Sequence, residues 1–229
     1  MVEVPDPTAH RFSIDCNSLV LKRSLLPHRM RISHSHRFIF FAVPRTGSTT
    51  VRKVLDDYSD VKSIHISETT EANPFYHHIS PRETIKIFES RGWDWKAYKK
   101  FCFVRNPFDR AVSLFHHRLK MRRKQTGWMH RVKQKAKLFL HRRRMFAAFV
   151  NSHMRDWGRL EEPVTSFITD SDGNCLVDDV LRFEEMRSEL PAYLNKLGIE
   201  ISPEIIPHKN KSKRKSNYKY YNGETKNYC

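Results

Sequence analysis

Phe38-Ile39-Phe40-Phe41-Ala42-Val43-Pro44-Arg45-Thr46-Gly47-Ser48-Thr49-Thr50 is the stretch on which the fold of this chain turns. Six apolar residues without a polar interruption read as a strand buried on both faces, the habit of parallel strands. Pro44 stops it. A helix is predicted from about Ser48 to Tyr58, because Val51, Val54, Leu55 and Tyr58 recur at helical spacing. In the turn between them, Gly47 lets the backbone approach a ligand closely. The N–H groups of Gly47, Ser48 and Thr49 are open helix-start donors, and the hydroxyls of Thr46, Ser48 and Thr49 stand beside them. Arg45 adds a permanently charged fork. By itself such a strand, glycine and hydroxyl run more often signals only a capped helix. The G-x-x-x-x-G-K-[ST] pattern of a Walker A loop is absent.

A second stretch, Phe103-Val104-Arg105-Asn106-Pro107-Phe108-Asp109-Arg110-Ala111-Val112-Ser113, repeats the design: apolar strand, polar turn, helix. Over Pro107 to Ser113 a helix rises roughly 9 Å, so a long arginine lying back along it could meet the serine hydroxyl on one phosphate. Two anion sites of this kind suit a ligand with phosphate at both ends.

The remaining elements follow the same alternation. Val61 to Ile66 reads as a strand. Ser80-Pro81-Arg82-Glu83 combines an N-cap, a proline at the first helical position and a capping-box acid, opening a helix to Ser90 with Ile85 and Phe88 as core contacts. Phe101 to Val104 is a strand, and Pro107 begins a helix carrying Ala111, Leu114, Phe115 and Leu119. A short helix at Met145 to Val150, a strand at 176–183 and a helix from Glu184 to Leu197, restarted or kinked at Pro191, complete the pattern. The prediction is an α/β fold of three layers around a central, mainly parallel sheet, with ligand at the carboxyl ends of the strands. Residues 1–36 read as an extended polar lead-in with room for a short strand, 37–221 as one domain, and 222–229 as a short C-terminal tail.

With 229 residues and a net charge of +17, the chain has length for a real core and calls for an anionic partner. Cys16, Cys102, Cys175 and Cys229 show neither CxxC spacing nor a disulfide framework, and Cys102 falls in an apolar strand as a small hydrophobe. The longest apolar run, Phe38 to Val43, is far short of a membrane span, and no signal-peptide region opens the chain, so a cytoplasmic protein is expected. Paired histidines lack completing ligands, and no catalytic metal is expected.

The two motifs, in this order and spacing, resemble the PAPS-dependent sulfotransferase family, and most closely its carbohydrate-type members. The family's P-[KR]-x-G-[ST]-T loop and R-N-P-[FY]-x-R-x-x-S helix start are matched at Pro44 to Thr49 and Arg105 to Ser113. The likeness continues to Pro207-His208-Lys209-Asn210-Lys211-Ser212 and Tyr220-Tyr221. It implies a P-loop-like fold and transfer of a sulfuryl group from PAPS to a hydroxyl, by in-line displacement with a histidine base. Arg45 and the loop donors Thr46, Gly47, Ser48 and Thr49 would hold the 5′-phosphosulfate, and Arg105 and Ser113 the 3′-phosphate. Many members have lysine at position 45. Arginine cannot release a proton near neutrality, so the role it implies is electrostatic.

For the base, the register of Tyr76-His77-His78-Ile79-Ser80 resembles the histidine of heparan sulfate 2-O-sulfotransferases and favours His78. His77 comes next, and Glu68 or Glu71 behind them. An imidazole ordinarily titrates close to neutrality, which suits a general base. Lys213 and Arg214 would close over the 3′-phosphate. Residues 118–144 hold twelve Lys/Arg and no acid. They serve either as a cradle for an acidic glycan or peptide acceptor or as a solvated pair of basic helices. The alternative classes are a basic nucleic-acid-binding protein, which the resemblance disfavours as a partner reading, and a nucleotide kinase, against which the missing Walker lysine counts.

Overall fold

The computed structural model describes residues 30–124, 127–155, 164–206 and 217–221. Five strands form one sheet in the order β3-β1-β2-β4-β5. These are β1 (Arg31–Ser33), β2 (Phe38–Phe41), β3 (Val61–Lys62), β4 (Lys99–Val104) and β5 (Asp179–Arg182). β2, β4 and β5 run parallel, with Phe41 beside Cys102 and Cys102 beside Val180, while β1 is antiparallel to both its neighbours.

The apolar run explains the layers. Every side chain from Phe38 to Val43 is fully buried, so the strand must be covered on both faces. Phe38, Phe40 and Ala42 point to a cluster with Phe101 and Phe103. Val51, Val54 and Leu55 of α1 (Ser48–Leu55) close that face, with Met186, Leu190, Tyr193 and Leu194 of α7 (Met186–Lys196). Ile39, Phe41, Val43 and Cys102 point the other way, to Phe88 of α2 (Pro81–Ser90) and to Phe167 and Ile168 of α6 (Val164–Ile168). Period-two alternation thus sorts one run into two cores.

The α2 start is the expected capping box: Glu83 N–H donates to Ser80 Oγ at 3.3 Å, and Ser80 N–H to Glu83 Oε2 at 3.1 Å. Thr84 rather than Ile85 joins Phe88 in the buried face, since positions 84 and 88 stack one turn apart. Pro191 sits inside α7 without breaking it.

Beyond the sheet, α3 (Pro107–Lys124), α4 (Trp128–Leu140) and α5 (Arg142–Arg155) follow one another. Val112, Phe115 and Leu119 of α3 pack on Phe146 and Val150 of α5 and on Tyr220 and Tyr221. The predicted strand at 61–66 shortens to two residues plus a bridge from Ile64 to Tyr76, and the one at 176–183 begins at Asp179.

The polar stretch before Phe38 contributes β1, whose three residues are all buried. Its Arg31 is the least expected core side chain, 1% exposed. Arg31 Nε donates to Asp56 Oδ1 at 2.9 Å and Nη1 to the Met30 carbonyl at 2.8 Å, so its charge is paired and its donors are used.

Candidate active site

Because β2 and β4 are adjacent and parallel, their carboxyl ends lie side by side, about 4.8 Å apart by sheet geometry. The two motif loops therefore leave the same edge of the sheet next to each other. Sixty residues of separation in sequence become one strand spacing.

In the first loop the chain turns through two left-handed residues, Arg45 at φ 69° and Gly47 at φ 87°. Thr46 is buried and its hydroxyl donates to the Val43 carbonyl at 2.9 Å, which folds the turn back on the strand end. Gly47 caps α1 without a side chain, and its carbonyl accepts from Thr50 and Val51. Among the described residues no hydrogen bond engages the N–H groups of Gly47, Ser48 or Thr49. Open helix-start donors beside left-handed backbone make a concavity fit for a phosphate oxygen. There is also no room for a side chain at Gly47: a Cβ would stand 2.6 Å from Met186 Cε and 2.7 Å from Phe183 Cδ2.

In the second loop Asn106 caps α3, its Oδ1 accepting from Phe108 N–H at 3.0 Å and Asp109 N–H at 3.3 Å. Asn106 N–H in turn donates to Glu184 Oε1 at 3.0 Å. Arg105, Asp109 and Ser113 recur every four residues and share one side of the helix start. Asp109 intervenes, and it takes both Nε (2.8 Å) and Nη2 of Arg105. Ser113, expected to share one phosphate with Arg105, takes its donor from the other loop. Arg45 reaches across, Nη2 donating to Ser113 Oγ at 3.0 Å and Nε at 3.3 Å.

Further bonds tie the loops together. Arg105 Nη1 donates to the Arg45 carbonyl at 3.3 Å, and Arg110 Nε to the Pro44 carbonyl at 3.1 Å. The Phe183 ring lies under the Arg105 guanidinium, 4.1 Å from centroid to carbon. Tyr221 hydroxyl donates to the Phe108 carbonyl at 2.8 Å, bringing the expected Tyr220-Tyr221 pair onto the first turn of α3.

His78 Nδ1 lies 2.6 Å from the carbonyl of Ala42, the first residue beyond β2. A carbonyl only accepts, so Nδ1 carries the proton and Nε2 the basic lone pair of the neutral ring. His77 turns instead toward His65, ring centroids 5.7 Å apart. Glu68 is taken up in capping a short 3₁₀ turn with His65, and the exposed Glu71 offers its backbone carbonyl to Arg91 at 2.7 Å. Lys213, Arg214 and the Pro207–Ser212 motif lie outside the described residues.

Asp109, Arg110, Phe183 and Glu184 are the neighbours that sequence reasoning missed. The i, i+4 spacing from Arg105 to the acid Asp109 was a usable signal. For Phe183 and Glu184 nothing local tells that β5 will end against the second loop. Among the described residues no group of three His, Cys, Asp or Glu side chains is placed to hold a metal ion, and no helix is long and apolar enough to cross a membrane.

No curated protein and no solved structure matches the chain. The model of the Sulfotransferase family matches residues 28–228. That span takes in the sheet, both strand-end loops and the helices they cap, and it leaves the nucleic-acid reading without support. The chain belongs to the sulfotransferase family, a transferase of sulfuryl groups built on a mainly parallel α/β sheet.

Proposed function

We propose that the protein transfers the sulfuryl group of PAPS to a hydroxyl of a carbohydrate. The observation that carries this reading is the Arg45–Ser113 contact, which joins the first anion loop to the second motif across adjacent strands. A 3′-phosphoadenosine 5′-phosphosulfate has negative groups at two ends, and two facing loops with separate donors suit it. Bound there, PAPS would supply the sulfuryl group.

The chain's own residues then divide the work. The N–H groups of Gly47, Ser48 and Thr49 and the hydroxyls of Ser48 and Thr49 hold the 5′ end, while buried Thr46, expected among these donors, spends its hydroxyl proton on the Val43 carbonyl and shapes the turn instead. Arg45 stabilises negative charge that grows on the oxygen toward the leaving phosphate. Arg105 and Ser113 take the 3′-phosphate, Arg105 being oriented by Asp109 and Phe183. Lys213 and Arg214 would add charge there. His78 accepts the acceptor hydroxyl's proton at Nε2, with Nδ1 anchored on Ala42. The basic run 118–144 favours an acidic glycan as acceptor.

The test is transfer of radiolabelled sulfuryl from PAPS to a panel of desulfated glycans and simple phenols. Label in a glycan supports the reading. Label only in phenols contradicts the acceptor class, and label in no acceptor with folded protein contradicts the activity.

A further inference from the structure

Among the described residues the three most exposed large hydrophobic side chains all lie on α4: Trp128 at 73%, Phe139 at 72% and Leu140 at 70%. Met129 and Val132, on the same helix, are also more than half exposed. At about 100° per residue, Trp128, Phe139, Val132, Ala136, Met129 and Leu140 fall within an arc of roughly 120°. The exposed Lys133 and Lys137 come next around the helix. Leu138, on the far side, packs against the α3–α5 cluster. A surface helix of a soluble domain turns its apolar stripe inward. This one rests on the domain through Leu138 and presents the stripe outward.

Charge identifies what fits. From Arg110 to Arg155 there is no Asp or Glu, and Arg118 and Lys120 of α3 and Arg143 and Arg144 of α5 are exposed on the helices that flank α4 in the chain. A second copy would set basic helix against basic helix. A polyanionic glycan or nucleic acid would use the cations and leave the Trp, Phe and Leu stripe in water. A bilayer with anionic headgroups matches both features at once. We propose that α4 docks on the surface of an anionic lipid bilayer, lying in its plane. Trp128, Val132, Phe139 and Leu140 seat at the acyl boundary, and Lys133 and Lys137 lie at headgroup phosphates. Docking of this kind is peripheral, and it depends on neither the donor nor the acceptor assigned to the active site.

The test is co-sedimentation of the full chain with vesicles of phosphatidylcholine alone and of phosphatidylcholine mixed with phosphatidylserine. Binding is expected to the mixed vesicles only. Val132→Gln combined with Phe139→Gln keeps the charge and should weaken binding at least about tenfold. Lys133→Gln and Lys137→Gln should each weaken it about fivefold. All four side chains are exposed, so circular dichroism should match the wild type. The proposal is overturned by absence of binding to mixed vesicles. It is equally overturned by binding that the double glutamine variant leaves unchanged, or by self-association without vesicles as the only property that variant alters.

Discussion

Arg45 and Ser113 stand 68 positions apart in the chain, yet the guanidinium donates twice to the serine hydroxyl, at 3.0 and 3.3 Å. The contact exists because β2 and β4 are parallel neighbours that end together, and it makes one site of two loops. Arg45 holds a left-handed backbone to do so, a conformation that costs a residue with a side chain about 1 kcal/mol. That strain has a functional reading: it aims the fork at the second loop.

Arg45→Ala should lower sulfuryl-transfer turnover by about 10²–10³, the usual effect of losing one preorganised charge-stabilising donor. The melting temperature should stay within a few degrees, since Arg45 lies at the sheet edge and not in either core. Steady-state kinetics beside a thermal melt measures both.

Ser113→Ala should weaken PAP binding about tenfold, the worth of one hydrogen bond to a charged group, and leave AMP binding unchanged. Fluorescence titration with each nucleotide reads the difference.

Gly47→Ala should both destabilise and inactivate. The new methyl would stand 2.6 Å from Met186 Cε and the backbone is left-handed there. Together these should cost about 2–4 kcal/mol. A denaturant melt is the check, and unchanged stability would mean that Met186 and Phe183 move aside freely.

The fold was legible where one physical signal dominated. Phe38 to Val43 could only be a doubly covered strand, and Ser80-Pro81-Arg82-Glu83 could only open a helix. β1 was legible only as a short strand somewhere in residues 1–36, because its burial hangs on an arginine, and Arg31 enters the core through Asp56, 25 residues away. At the site, the residue types of both loops were readable, while their partners were not. Asp109 pairs with Arg105, while Ser113 accepts from Arg45 of the other loop, so several side chains compete for partners across two strand ends. Sequence spacing alone does not rank such competitors.

Asp56→Asn should cost about 2–4 kcal/mol, toward the low side for a breached buried pair because Asp56 is about one-third exposed. Burial holds the Arg31 guanidinium below its ordinary pKa and Asp56 pulls it back up, with Arg52 nearby as a like charge. Removing the carboxylate strands both cations. A fall in melting temperature of about 5–15 °C is expected.

Asp60 gives stability a pH dependence. Burial pushes its carboxyl upward, but N–H donors from His34 (2.5 Å) and Ser35 (3.3 Å), with the Ser33 hydroxyl and the charge of the His34 ring, together outweigh it and hold the pKa below the usual carboxylate value. A depressed folded-state pKa means the contribution is complete above the unfolded value of about 4 and is lost as pH falls through the folded one. Being exposed, the group should contribute only about 1 kcal/mol. Denaturant melts at descending pH should show wild type converging on Asp60→Asn in acid.

The central claim is that the two loops hold two ends of one nucleotide, and calorimetric titration with PAP and AMP tests it most directly. PAP should bind about a hundredfold tighter than AMP, with Arg105→Ala abolishing the difference and not the fold. Equal, weak binding of the two nucleotides by the wild-type protein would contradict it.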